Sequence, residues 1–110
     1  MRRQYLTDFE LMILLAVLRV GNDAYGVPIA HEIETTGRRP VLLGAVYAAL
    51  DRLEESHLVS SIMGEPTAER GGKAKRYFRV TTRGVRAVQE TQRALTALAE
   101  GIPVLKGHPA

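Results

Sequence analysis

The chain has 110 residues, enough for one compact domain and far short of a TIM barrel or a two-domain dehydrogenase. Hydrophobic residues make up 45% and charged residues 25%, the balance of an ordinary globular fold and not of a disordered chain. With no cysteine and no tryptophan, disulfide scaffolds, thiolate metal sites and thiol catalysis are excluded, and the net charge of +3 makes the location of the basic excess the informative quantity.

Met1-Arg2-Arg3 ahead of the apolar run Leu11 to Leu18 mimics the charged and apolar parts of a signal peptide. Asp8 and Glu10 intrude before the run, Val20-Gly21-Asn22-Asp23 offers no small-x-small cleavage site, and the run is well short of the ~20 residues that span a bilayer. It reads as a buried core helix, and the protein as cytoplasmic. Thr7-Asp8-Phe9-Glu10 has the form of a capping box, which places the helix start at Thr7. Gly21 ends it.

Asn22 and Asp23 are candidate caps for a second helix over about Ala24 to Thr36, with Pro28 tolerated in its first turn. Val27, Ile29, Ala30 and Ile33 form its inward stripe. Arg38-Arg39-Pro40 links it to a third helix over about Leu43 to Ser56. There Val46, Leu50 and Leu53 recur at i, i+4, i+7 and face inward, while Ala45, Ala48, Ala49 and Arg52 lie on a small-residue outer surface.

After His57 the period changes. Leu58 to Met63 reads as a strand, and Lys75 to Thr81 as a second one, with Arg76, Phe78 and Val80 on one side and Lys75, Tyr77 and Arg79 on the other. The turn-rich link between them contains Gly64, Pro66, Gly71 and Gly72, longer than a tight hairpin and therefore expected to have a mobile tip. Thr81 caps a last helix running to about Glu100, and the residues beyond Gly101 and Pro103 form a tail. Between Arg70 and Arg86 no acidic residue interrupts the cations, so a polyanion would meet one end of this protein.

Three helices, a hairpin and a fourth helix form the order of a winged helix-turn-helix, a mainly α, α+β fold whose third helix enters the DNA major groove. The organisation read from this order is a DNA-binding unit over 1–82, a dimerisation helix over 83–102 and a tail over 103–110. Enzyme chemistry lacks a basis. His31, His57 and His108 share no ligand spacing, Glu54 and Glu55 point apart on their helix, and the paired glycines lack the context of a phosphate loop. No catalytic residue, metal or cofactor is expected.

Tyr25-Gly26, then Gly44-Ala45-Val46-Tyr47-Ala48-Ala49-Leu50-Asp51-Arg52-Leu53-Glu54, then Lys75-Arg76-Tyr77-Phe78-Arg79-Val80-Thr81-Thr82-Arg83-Gly84 strongly resemble the PadR family of bacterial transcription regulators, over about residues 6 to 95. The resemblance implies a winged-helix homodimer that binds a partly palindromic operator, represses a nearby gene and is released by a small molecule bound between the subunits. Where the family has Ser or Thr at the start of the third helix and often Pro further on, this chain has Leu42, Leu43, Ala45 and Ala48. Base readout is therefore expected to rely on apolar contact with thymine methyl groups and on groove shape.

The residues assigned to DNA are Arg38, Arg39, Gly44, Ala45, Tyr47, Ala48, Arg52, Lys73, Lys75 and Arg76. Tyr47 reads either as a phosphate contact or as a residue of the core margin, and Arg79 as a partner for Glu54 or Glu55. On the last helix Val85, Val88, Gln92, Leu95, Ala99 and Ile102 follow a 3-4-3-4-3 spacing with Leu98 on the flank, the stripe of a dimer seam. The competing reading is a winged-helix protein-interaction module that never touches DNA, supported by the acidic Asp51, Glu54 and Glu55.

Overall fold

The computed structural model describes residues 5–65 and 74–106. The elements are α1 (Asp8–Val20), α2 (Gly26–Thr35), α3 (Leu43–Glu55), β1 (Val59–Met63), β2 (Arg76–Val80) and α4 (Thr82–Ala99), with short 3-10 turns at Gly21–Asp23 and Pro103–Lys106. The strands pair antiparallel, Val59 opposite Val80 through Met63 opposite Arg76. This is a winged helix-turn-helix. No described helix is long and apolar enough to cross a membrane.

The start of α1 is the expected capping box: the Thr7 hydroxyl accepts from the Glu10 N–H at 3.2 Å, and the Glu10 carboxylate accepts from the Thr7 N–H at 2.9 Å. Ile13, Leu14, Ala16 and Val17 of α1 are buried against Ile29 and Ile33 of α2, Val46, Leu50 and Leu53 of α3, and Leu58, Val59 and Phe78 of the hairpin. Burying each large side chain of this set contributes about 1.5–3 kcal/mol.

Three sequence readings need correction. α2 begins at Gly26, not Ala24, with Tyr25 as an N-cap that makes no side-chain bond, and Asn22 and Asp23 lie in the 3-10 turn. The reason is that the Ala24 carbonyl accepts a hydrogen bond from the Phe78 N–H at 2.7 Å. Pro28 has no N–H to offer that carbonyl, so no helical bond competes for it. Val27, assigned to the inward stripe of this helix, is exposed. Ala49, assigned to the outer surface of the third helix, is fully buried beside Leu50.

The turn after α3 fastens three elements together. His57 adopts a left-handed conformation (φ 63°), its N–H bonds to the Glu54 carbonyl at 3.0 Å, and the Leu58 N–H bonds to the Leu53 carbonyl at 2.9 Å. These are the paired bonds of a Schellman end, with the buried Leu53 and Leu58 as its apolar contact. The His57 carbonyl then accepts from the Thr81 hydroxyl at 2.7 Å, and Thr81 caps α4 by accepting from the Gly84 N–H. Gly84 packs directly on the Leu58 carbonyl, where a Cβ would overlap that oxygen.

The core continues across residue 82. Gly84, Ala87, Val88 and Thr91 of α4 are buried, and the Thr91 hydroxyl accepts from the Leu6 N–H at 3.0 Å. Beyond Thr91, Leu95, Leu98, Ile102, Val104 and Leu105 are exposed.

Gly84→Ala is expected to lower stability by about 1–3 kcal/mol or more, since the clash is with backbone. Gly44→Ala, at a position with open space around it, is expected to leave stability unchanged or slightly raised. Urea unfolding of the two variants against wild type measures both.

Candidate nucleic-acid interface

α3 buries one face and leaves the other open. Val46, Ala49, Leu50 and Leu53 point into the core, while Gly44, Ala45, Ala48 and Arg52 are exposed and fall on one side of the helix. Leu42 and Leu43 are exposed at its start, and the N-cap Leu42 has no side-chain bond to give. The surface is narrow in profile, apolar at one end and cationic at Arg52. Tyr47 is half-buried, its ring edge and hydroxyl resting on Gly26 where a Cβ would otherwise sit. This close approach joins α2 to α3 and fixes their crossing.

The hairpin meets α3 through Arg76. Its Nη1 donates to Asp51 Oδ1 at 2.8 Å, its Nη2 to Glu54 Oε1, and its Nε to Ser61 Oγ at 3.1 Å. The Ser61 hydroxyl donates to Glu54 Oε2 at 2.7 Å, and the guanidinium lies over the Phe78 ring at 4.8 Å. Asp51 and Glu54 are three residues apart on α3, so one helix face offers both carboxylates to one cation. The Ser61 hydrogen bond and the guanidinium hold the Glu54 carboxyl below the ordinary carboxylate range, against the opposing effect of burial. Asp51 leads the contacts that hold the Arg76 proton more tightly than usual. The sequence offers Glu54 or Glu55 as a partner for Arg79; the partner of Glu54 is Arg76, because Phe78 marks the core side of β2 and Arg76 shares it, whereas Arg79 faces outward.

The other assigned cations divide. Lys75 stacks on the Tyr25 ring at 4.5 Å, and Tyr25 meets Tyr77 edge to face at 5.7 Å, which seats the start of β2 beside the N-terminus of α2. Arg39 turns back to α1, over the Phe9 ring at 4.9 Å and 3.3 Å from Asp8. Arg38 and Arg52 are exposed and have no ion pair among the described residues. Lys73 and the tip of the wing lie outside the described residues. The structure thus groups Gly44, Ala45, Ala48 and Arg52 on one face, places Lys75 on the Tyr25 side of the hairpin, and gives Arg39 and Arg76 partners within the protein.

Of the residues assigned to a dimer seam, Val88 is taken into its own core and Val85 is half-buried, while Gln92, Leu95, Leu98, Ala99 and Ile102 are exposed. The one polar residue of α4 buried in the domain's own core, among the described residues, is Thr91.

The model of the transcriptional regulator PadR-like family matches residues 14–90. No curated protein matches the chain. Among solved structures, a PadR-like transcriptional regulator from Bacillus cereus superposes with a TM-score of 0.70 at 18% identity, covering 92% of this chain and 93% of its own. A transcriptional regulator from Clostridium thermocellum gives 0.69 at 22%, covering 86% and 88%. The complex structure of hsRosR-S4 gives 0.65 at 26%, covering 87% and 76%.

The lowered pKa of Glu54 in the fold sets a direction for pH. Its contribution to stability is fully present above the ordinary carboxylate value and is lost as pH falls through the lowered, folded-state value. Glu54→Gln is expected to be less stable than wild type by about 1 kcal/mol near neutral pH, and the gap is expected to close in acid. Urea unfolding of both proteins at about pH 7 and about pH 3 reads this; a gap that stays constant contradicts it.

Proposed function

Because the chain belongs to the PadR-like family of transcriptional regulators, a family of DNA-binding regulators and not of enzymes, we propose that it acts as a homodimeric repressor of a neighbouring gene, released by a small-molecule effector. α3 enters the major groove with Gly44, Ala45, Ala48 and Arg52, and Leu42 and Leu43 meet thymine methyl groups at its start. Lys75 and Arg38 lie on phosphates, and Tyr47 borders the contact; Lys73, also assigned to DNA, lies outside the described residues. The observation that carries this reading is the exposed small-residue face of α3, since small side chains let a helix approach the floor of a groove.

The interaction-module reading rested on acids of the third helix that would repel phosphate. Two of the three, Asp51 and Glu54, are paired with Arg76, which removes most of its support. The salt dependence of binding to random duplex DNA separates the two readings, because a protein adaptor has none.

The exposed second half of α4 supports a dimer formed through Gln92, Leu95, Leu98, Ala99 and Ile102, with Val85 at its margin. This assigns 1–82 and the first half of α4 to the DNA-binding body and the rest of α4 to a dimerisation arm, followed by the tail from 103. A two-fold dimer places its two α3 helices in successive major grooves about 34 Å apart and calls for a partly palindromic operator. The effector sits between the subunits, without a tryptophan to stack on.

Leu95→Arg is expected to sediment as a monomer and to lose operator binding, while remaining folded because Leu95 is exposed. Ala45→Glu is expected to keep the dimer and lose operator binding, as it places a carboxylate in the groove. A folded Ala45→Glu protein that still binds its operator excludes α3 as the reading helix.

A further inference from the structure

Arg76 is a wing cation whose surroundings do not suit a phosphate ligand. Its three nitrogens are each engaged, by Ser61, Asp51 and Glu54, and one face of the guanidinium is covered by Phe78. Glu54 closes the ring by accepting from Ser61, so the network spans β1, β2 and α3. The neighbouring Lys75 differs: it stacks on Tyr25 and has no carboxylate partner among the described residues. Asp51 lies on the open side of α3 next to Ala48 and Arg52, with its side chain 55% exposed.

Resting on the DNA-binding reading above, we infer that Arg76 is a positioning residue for DNA recognition, which holds the hairpin at one angle to α3 and neutralises carboxylates beside the groove-facing surface without itself binding phosphate. A planar guanidinium satisfies this geometry and an ammonium does not. The fork reaches two carboxylates and a hydroxyl at once, whereas lysine offers a point charge on a flexible stem. The wing and α3 reach different parts of the duplex, so the angle between them decides whether both engage the same site. Sequence preference, which requires both, is more sensitive to the network than affinity for DNA at large, which requires only the cations.

The test compares wild type, Arg76→Lys and Ser61→Ala on two probes: a random duplex, and the duplex that wild type selects from a random-sequence pool. Arg76→Lys retains the charge and loses the fork; Ser61→Ala changes no charge and opens the ring from the hairpin side. Thermal unfolding first establishes that each is folded at the assay temperature. Both variants are expected to hold random-duplex affinity within about twofold and to keep its salt slope. Preference for the selected duplex is expected to fall roughly tenfold in Arg76→Lys and less in Ser61→Ala. Loss of random-duplex affinity in step with selected-duplex affinity makes Arg76 a phosphate ligand and overturns the inference. Unchanged preference in both variants reduces the network to a stabilising contact and overturns it equally. Wild type that shows no salt-dependent binding to either probe refutes the DNA-binding reading itself, and the inference with it.

Discussion

A guanidinium on the core side of a two-stranded hairpin must find partners or remain poorly solvated, and here the partners come from another element. Arg76 shares its strand face with Phe78, whose ring is buried, so its side chain is directed toward α3. Asp51 and Glu54 meet it there, and Ser61 completes the ring from β1. An isolated surface ion pair contributes about 0.2–1 kcal/mol, too little to hold a fold that already has an apolar core. The consequence is geometric. Apolar packing seats the hairpin on the core, and the network defines which way its strands lean against the helix proposed to read DNA.

The same logic extends from α3 to α4. The left-handed turn at His57 ends α3 and hands its carbonyl to Thr81, which caps α4. Gly84 closes the joint against Leu58. The proposed reading surface and the proposed dimerisation arm are therefore separated by one short, well-bonded junction and not by a hinge. In the two-fold dimer proposed above, such a path would let contacts between the arms fix the spacing of the two α3 helices.

Much of this was legible in the residues. The capping box at Thr7, the Thr81 cap, the i, i+4, i+7 stripe of α3 and the change of period after His57 are local signals, and each element formed where its signal lay. One error came from a contact between distant residues. Ala24 was drawn out of α2 by the edge of β2, a strand that lies more than fifty residues along the chain. Ala49 sits three residues after Val46, so the i, i+3, i+4, i+7 periodicity already put it on the buried face; its small, apolar side chain let it pass for an outer position. The Arg76 network was nearer to hand: alternation already placed Arg76 with Phe78 and Arg79 opposite, and taking Phe78 as the core side would have named the right partner for Glu54. His57 gave a weaker cue, since histidine is among the few non-glycine residues that accept a left-handed backbone with some frequency.

The central claim is that the open face of α3 meets DNA while the second half of α4 does not. Titrating the isotope-labelled protein with duplex DNA and following its backbone amides by NMR tests this residue by residue. The account predicts the largest changes at Gly44, Ala45, Ala48 and Arg52 and at Lys75, with the amides of Leu95, Leu98 and Ile102 left in place. Changes concentrated on the outward side of the hairpin or along α4, with α3 silent, would contradict it.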